Sequence, residues 1–146
     1  MSHIDDKVWL GSQKDAASIS FLQSNEITLV ISVEEFPEIF PWSVGRCNIK
    51  REHISMLDSD KETAKQVEFL SKVRKVIDII ENHNDGNVLV HCYAGKSRSA
   101  AIVTAYLAFK YQISIDEALI IVKKKRPCVD PRPSFLHFLS LNFSMH

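Results

Sequence analysis

The sequence predicts an α/β fold: a central, mostly parallel sheet flanked by helices. Three observations predict it. Short β-branched apolar runs such as Ile27-Thr-Leu-Val-Ile-Ser-Val33 alternate with longer stretches of helical periodicity. One such run, Asn87-Val-Leu-Val-His91, leads through a short loop straight into the apolar residues 99–111, the order of a strand-to-helix crossover. The 146 residues hold only 4 glycines and 5 prolines and no repeat, low-complexity segment or Gly/Ser linker. Residues 1–146 are therefore expected to form a single domain, with a core from about 7 to 143.

The elements follow in order. Val8-Trp-Leu-Gly11 reads as a short strand ending at a glycine. Residues 14–23 place apolar side chains at 16, 17, 19, 21 and 22, one face of a helix. Residues 27–33 predict a buried strand, and 34–42, with two prolines, an irregular segment. A further strand is expected within 47–56, then a loop over 57–60. Residues 63–82 carry apolar positions at 67, 69, 70, 73, 76, 77, 79 and 80, a long amphipathic helix that Asn84-Asp-Gly86 ends. Residues 87–91 are the next strand, and 99–111, apolar nearly all round, a buried helix. Ser114-Ile-Asp-Glu117 reads as a capping box opening a helix over 115–125, which Arg126-Pro127 breaks. Residues 133–141 predict a last amphipathic helix, and Phe135, Phe138 and Phe143 are expected to close the core.

Composition narrows the function. Lys+Arg and Asp+Glu are both 18, so no global positive field favours nucleic acid. No signal peptide, lipidation signal or membrane-length apolar run is apparent, so no stable membrane anchor is expected. Three cysteines without regular spacing suit a reducing compartment, pointing to the cytosol with the nucleus left open.

The chemistry concentrates in His91-Cys-Tyr-Ala-Gly-Lys-Ser-Arg-Ser99. Ligands bind beyond the carboxyl ends of strands in such sheets, and this loop follows one. The first amides of the following helix have no internal partners and carry the positive end of its dipole. Gly95 lets the backbone curl, so that the amides of Tyr93, Ala94, Gly95, Lys96 and Ser97 can cradle an anion. Arg98 adds a planar fork for two phosphate oxygens. The same groups stabilise a thiolate at Cys92, directly beneath a bound tetrahedral dianion. The implied step is in-line attack of Cys92 on phosphorus. Ser99 could donate its hydroxyl to the sulfur, and His91 could orient the loop through a backbone carbonyl near Cys92. A carboxylic acid on a second loop is required for the leaving group and, later, for water.

This loop resembles the signature of the cysteine-dependent protein tyrosine phosphatases, and its Ala-Gly-x-Ser-Arg-Ser-Ala form resembles the small stand-alone dual-specificity branch. Val8-Trp-Leu-Gly11, the strand at 27–33, Ala105-Tyr-Leu107, Ser114-Ile-Asp-Glu-Ala118, Arg126-Pro127, Pro131 and Phe135 fall in the family's order. The resemblance implies a protein tyrosine phosphatase-like fold of dual-specificity type and a phosphorylated protein as substrate. It implies hydrolysis of phosphotyrosine and phosphoserine/threonine through a cysteinyl-phosphate, with no metal or cofactor. The family's acid follows a strand of the form Ile-Pro-Ile-x-Asp, and Ile54-Ser-Met-Leu-Asp58 fits except at Ser55, so the resemblance assigns Asp58, with Asp60 as the rival.

Two departures stand out. Lys96 resembles a lysine of the inositol-lipid phosphatases, but their second lysine is Tyr93 here, which favours a solvent-facing side chain. Arg132 stands where the dual-specificity branch usually has asparagine bracing the site; it reads as a surface arginine, with a contact to phosphorylated substrate as the alternative. Some family members protect the nucleophile as a disulfide, for which Cys47 and Cys128 are the available thiols. The run Lys123-Lys-Lys-Arg126 reads as a solvated helix end. The competing functions are a phosphoinositide or other non-protein phosphatase, a phosphate-binding pseudophosphatase and a rhodanese-like sulfur carrier. The presence of Cys92, Arg98, Ser99 and an acid speaks against the last two.

Overall fold

The structure, a computed structural model, describes residues 1–36, 38–44 and 47–143. Strands β1 (Ser2–Asp5), β2 (Val8–Gly11), β3 (Ile27–Val33), β4 (Lys50–Ile54) and β5 (Asn87–His91) form one sheet in the order β1-β2-β5-β3-β4. β2, β5, β3 and β4 run parallel; β1 pairs antiparallel with β2. In the centre, His91 is level with Gly11 on one side and Ser32 on the other. The carboxyl ends of three strands therefore open at one place.

Alternation sends side chains to two faces. Leu29, Ile31, Val33, Val88 and Val90 join the larger core cluster, which is covered by α3 (Gln66–Asn82), α4 (Arg98–Tyr111), α5 (Ile115–Lys125) and α6 (Pro133–Phe143). Ile27, Val30 and Leu89 face the smaller cluster, with Ala16 of α1 (Gln13–Ala17), Leu22 of α2 (Ile19–Ser24), Phe40 and Trp42. α4 is buried without interruption from Ser99 to Ala108, as its all-round apolar sequence predicts. Phe135 is fully buried and stacks on Phe69 at 5.3 Å between ring centroids; Phe138 and Phe143 pack partly buried against the same cluster.

The structure departs from the sequence expectation in four places. The helix expected over 14–23 is two short ones, because Ser18 takes an extended conformation (φ −90°, ψ 96°) and caps α2. Serine competes for backbone hydrogen bonds and so favours such a break. α3 starts at Gln66 rather than 63, with turns before it and no side-chain cap from Lys65. At Ser114 half of the capping box forms: its hydroxyl accepts from the Glu117 amide at 3.1 Å and donates to Glu117 Oε1 at 3.2 Å. The reciprocal box is instead at Ser12 and Asp15, opening α1. Finally, β1 has no counterpart in the sequence reading. At four residues it is too short to show a period, and its Asp5 is held by Lys110 and Tyr111 of α4 at 2.8 and 2.7 Å.

Candidate active site

The loop from Cys92 to Ser97 connects β5 to α4. Its shape depends on Gly95, which has φ +68°; a Cβ there would lie 2.5 Å from the Gly11 carbonyl oxygen, which no side chain could tolerate. Five donors from outside hold the loop. The Gln13 amide donates to Tyr93 O at 2.9 Å, Arg126 Nη2 to Ala94 O at 3.4 Å and Arg126 Nε to Gly95 O at 3.0 Å. The Asp130 amide donates to Lys96 O at 2.7 Å, and the Arg132 amide to the Ser97 hydroxyl at 3.2 Å. Across a trans peptide the carbonyl and the next amide point in opposite directions. With the carbonyls of 93 to 96 turned outward to those donors, the amides of Ala94, Gly95, Lys96 and Ser97 turn toward the loop's interior. A concave row of amides above the first turn of α4 is an anion cradle.

Cys92 lies in that loop with 3% of its surface exposed, and its Sγ is 3.0 Å from Ser99 Oγ. Arg98, the first residue of α4, donates from Nη1 to Met56 O at 3.1 Å, while its Nε is buried without a partner among the described residues. An unpaired buried donor costs free energy unless something accepts from it. An anion seated on the loop would satisfy it.

His91 is fully buried beneath the loop. Its Nδ1 is 3.2 Å from Cys92 O and its Nε2 2.6 Å from Ser32 Oγ. A carbonyl can only accept, so Nδ1 carries the hydrogen and Nε2 accepts from Ser32. Ser32 in turn accepts from Arg51 Nε at 3.0 Å, and the Arg51 guanidinium lies over the Phe40 ring at 4.4 Å. Burial lowers the His91 pKa to about 4, so the ring is neutral and this tautomer persists. Glu34, at the end of β3, is also buried; burial raises its pKa against the lowering effect of the nearby Glu38 backbone, and its Oε1 is 3.9 Å from His91 Nδ1.

Asp58 lies on the loop after β4, as its sequence context predicts, and its side chain is 43% exposed. The loop is held to the site by the Arg98 to Met56 bond and braced internally by the Leu57 amide, which donates to Glu62 Oε1 at 2.7 Å. Arg132 Nε donates to Asp58 Oδ1 at 2.9 Å, while Arg132 Nη1 is 3.9 Å from Asp60 Oδ1. Asp60 is 77% exposed and accepts from the Ser134 hydroxyl at 2.8 Å, which ties it to the start of α6.

The structure thus brings Cys92, Arg98, Ser99 and His91 together and connects the Asp58 loop to them through Met56. Tyr93, Ala94 and Lys96 are exposed on the loop, whereas Gly95 is buried. Arg132 is a surface arginine, 38% exposed, that is paired with Asp58 and whose backbone amide donates to Ser97 of the loop. Arg126 leaves the solvated run that Lys123, Lys124 and Lys125 form and turns inward to two loop carbonyls. The sequence reading did not single out Ser32, Arg51 or Gln13. Ser32 alone left a signal, one of two hydroxyl residues, with Thr28, in an otherwise apolar strand. Cys47, Cys92 and Cys128 are all free thiols, and Cys47 donates to Trp42 O at 3.1 Å. Among the described residues no group of three or more His, Cys, Asp or Glu side chains is placed to hold a metal ion, and no helix is long and apolar enough to cross a membrane.

Similarity to known proteins agrees with this geometry. The human protein phosphatase Slingshot homolog 3 is 31% identical over 141 residues, 96% of this chain and 20% of that protein. Dual specificity protein phosphatase 1 of Arabidopsis thaliana is 32% identical over 143 residues, 94% of this chain and 66% of that one. This chain therefore spans about a fifth of the first relative and about two thirds of the second. The crystal structure of human DUSP28 superposes with a TM-score of 0.83 at 25% identity, covering 97% of this chain and 91% of that one. Residues 8–144 match the catalytic domain of the dual specificity phosphatases, and the chain belongs to that family.

Proposed function

We propose that this chain is a metal-independent protein phosphatase that hydrolyses phosphotyrosine and phosphoserine/threonine through a cysteinyl-phosphate. The observation that carries the proposal is the cradle itself: a buried thiol 3.0 Å from Ser99 Oγ, inward-turned amides, and Arg98 with an unpaired buried Nε. The substrate dianion seats on the amides of residues 94 to 97 and on Arg98, with Tyr93 at the rim. Cys92 Sγ attacks phosphorus in line, and the bond to the leaving oxygen breaks as the sulfur–phosphorus bond forms. Asp58 gives that oxygen its proton. Arg98 and the loop amides hold the equatorial oxygens through the transition state. Water then attacks phosphorus, Asp58 takes its proton, and the sulfur leaves as a thiolate to which Ser99 donates. His91 and the Ser32–Arg51 chain beneath fix the peptide at Cys92.

A groove of about 520 Å³ beside Tyr93, bounded by Lys14, Ala17, Glu38, Ile39 and Phe40, supports a peptide substrate: apolar side chains and one charge of each sign line it. The lone basic Lys96 on the loop offers less to a polyphosphorylated head group. The three free thiols support a cytosolic setting, with the nucleus open.

The test is phosphate release from matched phosphotyrosine peptides, phosphothreonine peptides and phosphoinositides, with Cys92→Ser as the blank. Peptides leading in kcat/KM support the reading. Phosphoinositides leading would move the enzyme to lipid substrates, and turnover by Cys92→Ser would remove Cys92 as the nucleophile.

A further inference from the structure

Arg132 joins two segments that the reaction needs. Its backbone amide donates to Ser97 Oγ at the end of the phosphate loop, and its side chain donates from Nε to Asp58 Oδ1 at 2.9 Å. Any residue but proline supplies the first bond. Only the side chain makes the second. The two side chains are 38% and 43% exposed, so water and salt screen the pair, and it adds little to stability. Its consequence is geometric. Asp58 sits on a half-open loop whose other ties to the rest of the fold are Met56 O to Arg98 before it and Asp60 to Ser134 after it. Arg132 provides the tie at the Asp58 carboxyl itself. With Oδ1 occupied by a donor, the proton that Asp58 delivers must sit on Oδ2.

We propose that Arg132 is the positioning residue for the general acid, holding Asp58 Oδ1 so that Oδ2 is the oxygen that protonates the leaving group. The inference rests on the assignment of Asp58 as the acid. The guanidinium donates to that oxygen with a full positive charge, where an amide side chain would donate without one. It touches neither phosphate nor the sulfur.

The experiment compares Arg132→Gln, Arg132→Lys and Asp58→Asn, and the double variant Asp58→Asn/Arg132→Gln, on two aryl phosphates. One has a poor leaving group (phenyl phosphate) and one a good one (2,4-dinitrophenyl phosphate). The inhibition constant of inorganic phosphate is measured alongside. Arg132→Gln is expected to lower kcat for phenyl phosphate roughly fivefold or more, the scale of a misplaced catalytic group. KM and phosphate inhibition should change little, as should dinitrophenyl phosphate turnover, because that leaving group needs no proton. Arg132→Lys should recover part of the loss. In the Asp58→Asn background Arg132→Gln should add nothing. A rise in KM and in the phosphate inhibition constant with kcat intact would overturn the inference and make Arg132 a substrate contact. So would a full additive loss in the Asp58→Asn background. If Asp58→Asn behaves as the loss of an acid and Arg132→Gln changes nothing, the positioning role alone falls. If Asp58→Asn spares phenyl phosphate turnover, the acid assignment falls and takes this inference with it.

Discussion

Ser32 Oγ lies 2.6 Å from His91 Nε2, and both residues are fully buried at the carboxyl end of the sheet. Ser32 Oγ could donate to a neutral ring or accept from a protonated one, so it is burial that keeps the imidazole neutral. Burial holds the His91 pKa at about 4, against 6.5 for an exposed ring. Between those values the unfolded chain binds a proton that the folded chain refuses. Stability is therefore fully present above the unfolded value and is lost as pH falls from about 6.5 toward 4, by at most ~3 kcal/mol. Glu34, whose pKa burial raises, acts in the opposite sense as pH rises and lies 3.9 Å from His91 Nδ1, so the difference between wild type and His91→Asn reads the histidine together with its coupling to Glu34. Urea denaturation midpoints at several pH values should show the wild type losing stability relative to His91→Asn across that window; parallel curves would contradict the neutral, buried assignment.

Ser99 Oγ lies 3.0 Å from Cys92 Sγ, and the proposed mechanism uses it when the sulfur leaves. Ser99→Ala should spare the first step and slow breakdown of the cysteinyl-phosphate on the order of ten- to a hundredfold, the worth of a hydrogen bond to a charged atom. Rapid mixing with a good leaving group should then show a burst of about one alcohol per enzyme before a slow steady state. A uniform slowing with no burst would place Ser99 elsewhere in the cycle.

Asp58 and Asp60 share one loop, and their contacts separate them: Asp60 is committed to Ser134 and the start of α6. Asp58→Asn should lower kcat for phosphopeptides on the order of a hundredfold or more and flatten the basic limb of its pH profile. Asp60→Asn should change kcat by less than about threefold, the scale of an ordinary surface substitution. A reversal of these results would exchange the roles.

Gly95→Ala places a methyl group 2.5 Å from Gly11 O on a backbone with φ +68°. Either the loop or β2 must move. The expected cost is about 1–3 kcal/mol of stability, together with loss of inorganic phosphate binding. Calorimetry and phosphate competition would measure both; a variant that binds phosphate normally would show that the loop does not depend on this turn.

The sequence was legible where chemistry is local. β3 and β5 could be placed because unbroken β-branched runs mark buried parallel strands, and Cys92, Arg98 and Ser99 because their spacing is fixed by one loop. Asp58 needed the resemblance, since nothing in a lone aspartate after a strand marks an acid. The contacts that fix the loop were not legible. Arg126 and Arg132 approach it from 31 and 35 positions away, and each looks like a surface arginine until the α5–α6 connection is folded over α4. Arg51 was hidden for another reason: it alternates with exposed Lys50 and Glu52 in an edge strand, and only pairing with β3 turns it toward Ser32. The break at Ser18 was missed because the apolar spacing of 16 to 22 runs through it unchanged.

The bonds from Arg132 to Asp58 and to Ser97 span 74 and 35 positions of chain. The finished site therefore needs contacts between segments far apart in the chain. After denaturation, turnover of a substrate whose leaving group needs a proton depends on the docking of residues 126–132 as well as on the sheet, because that segment holds both the phosphate loop and Asp58.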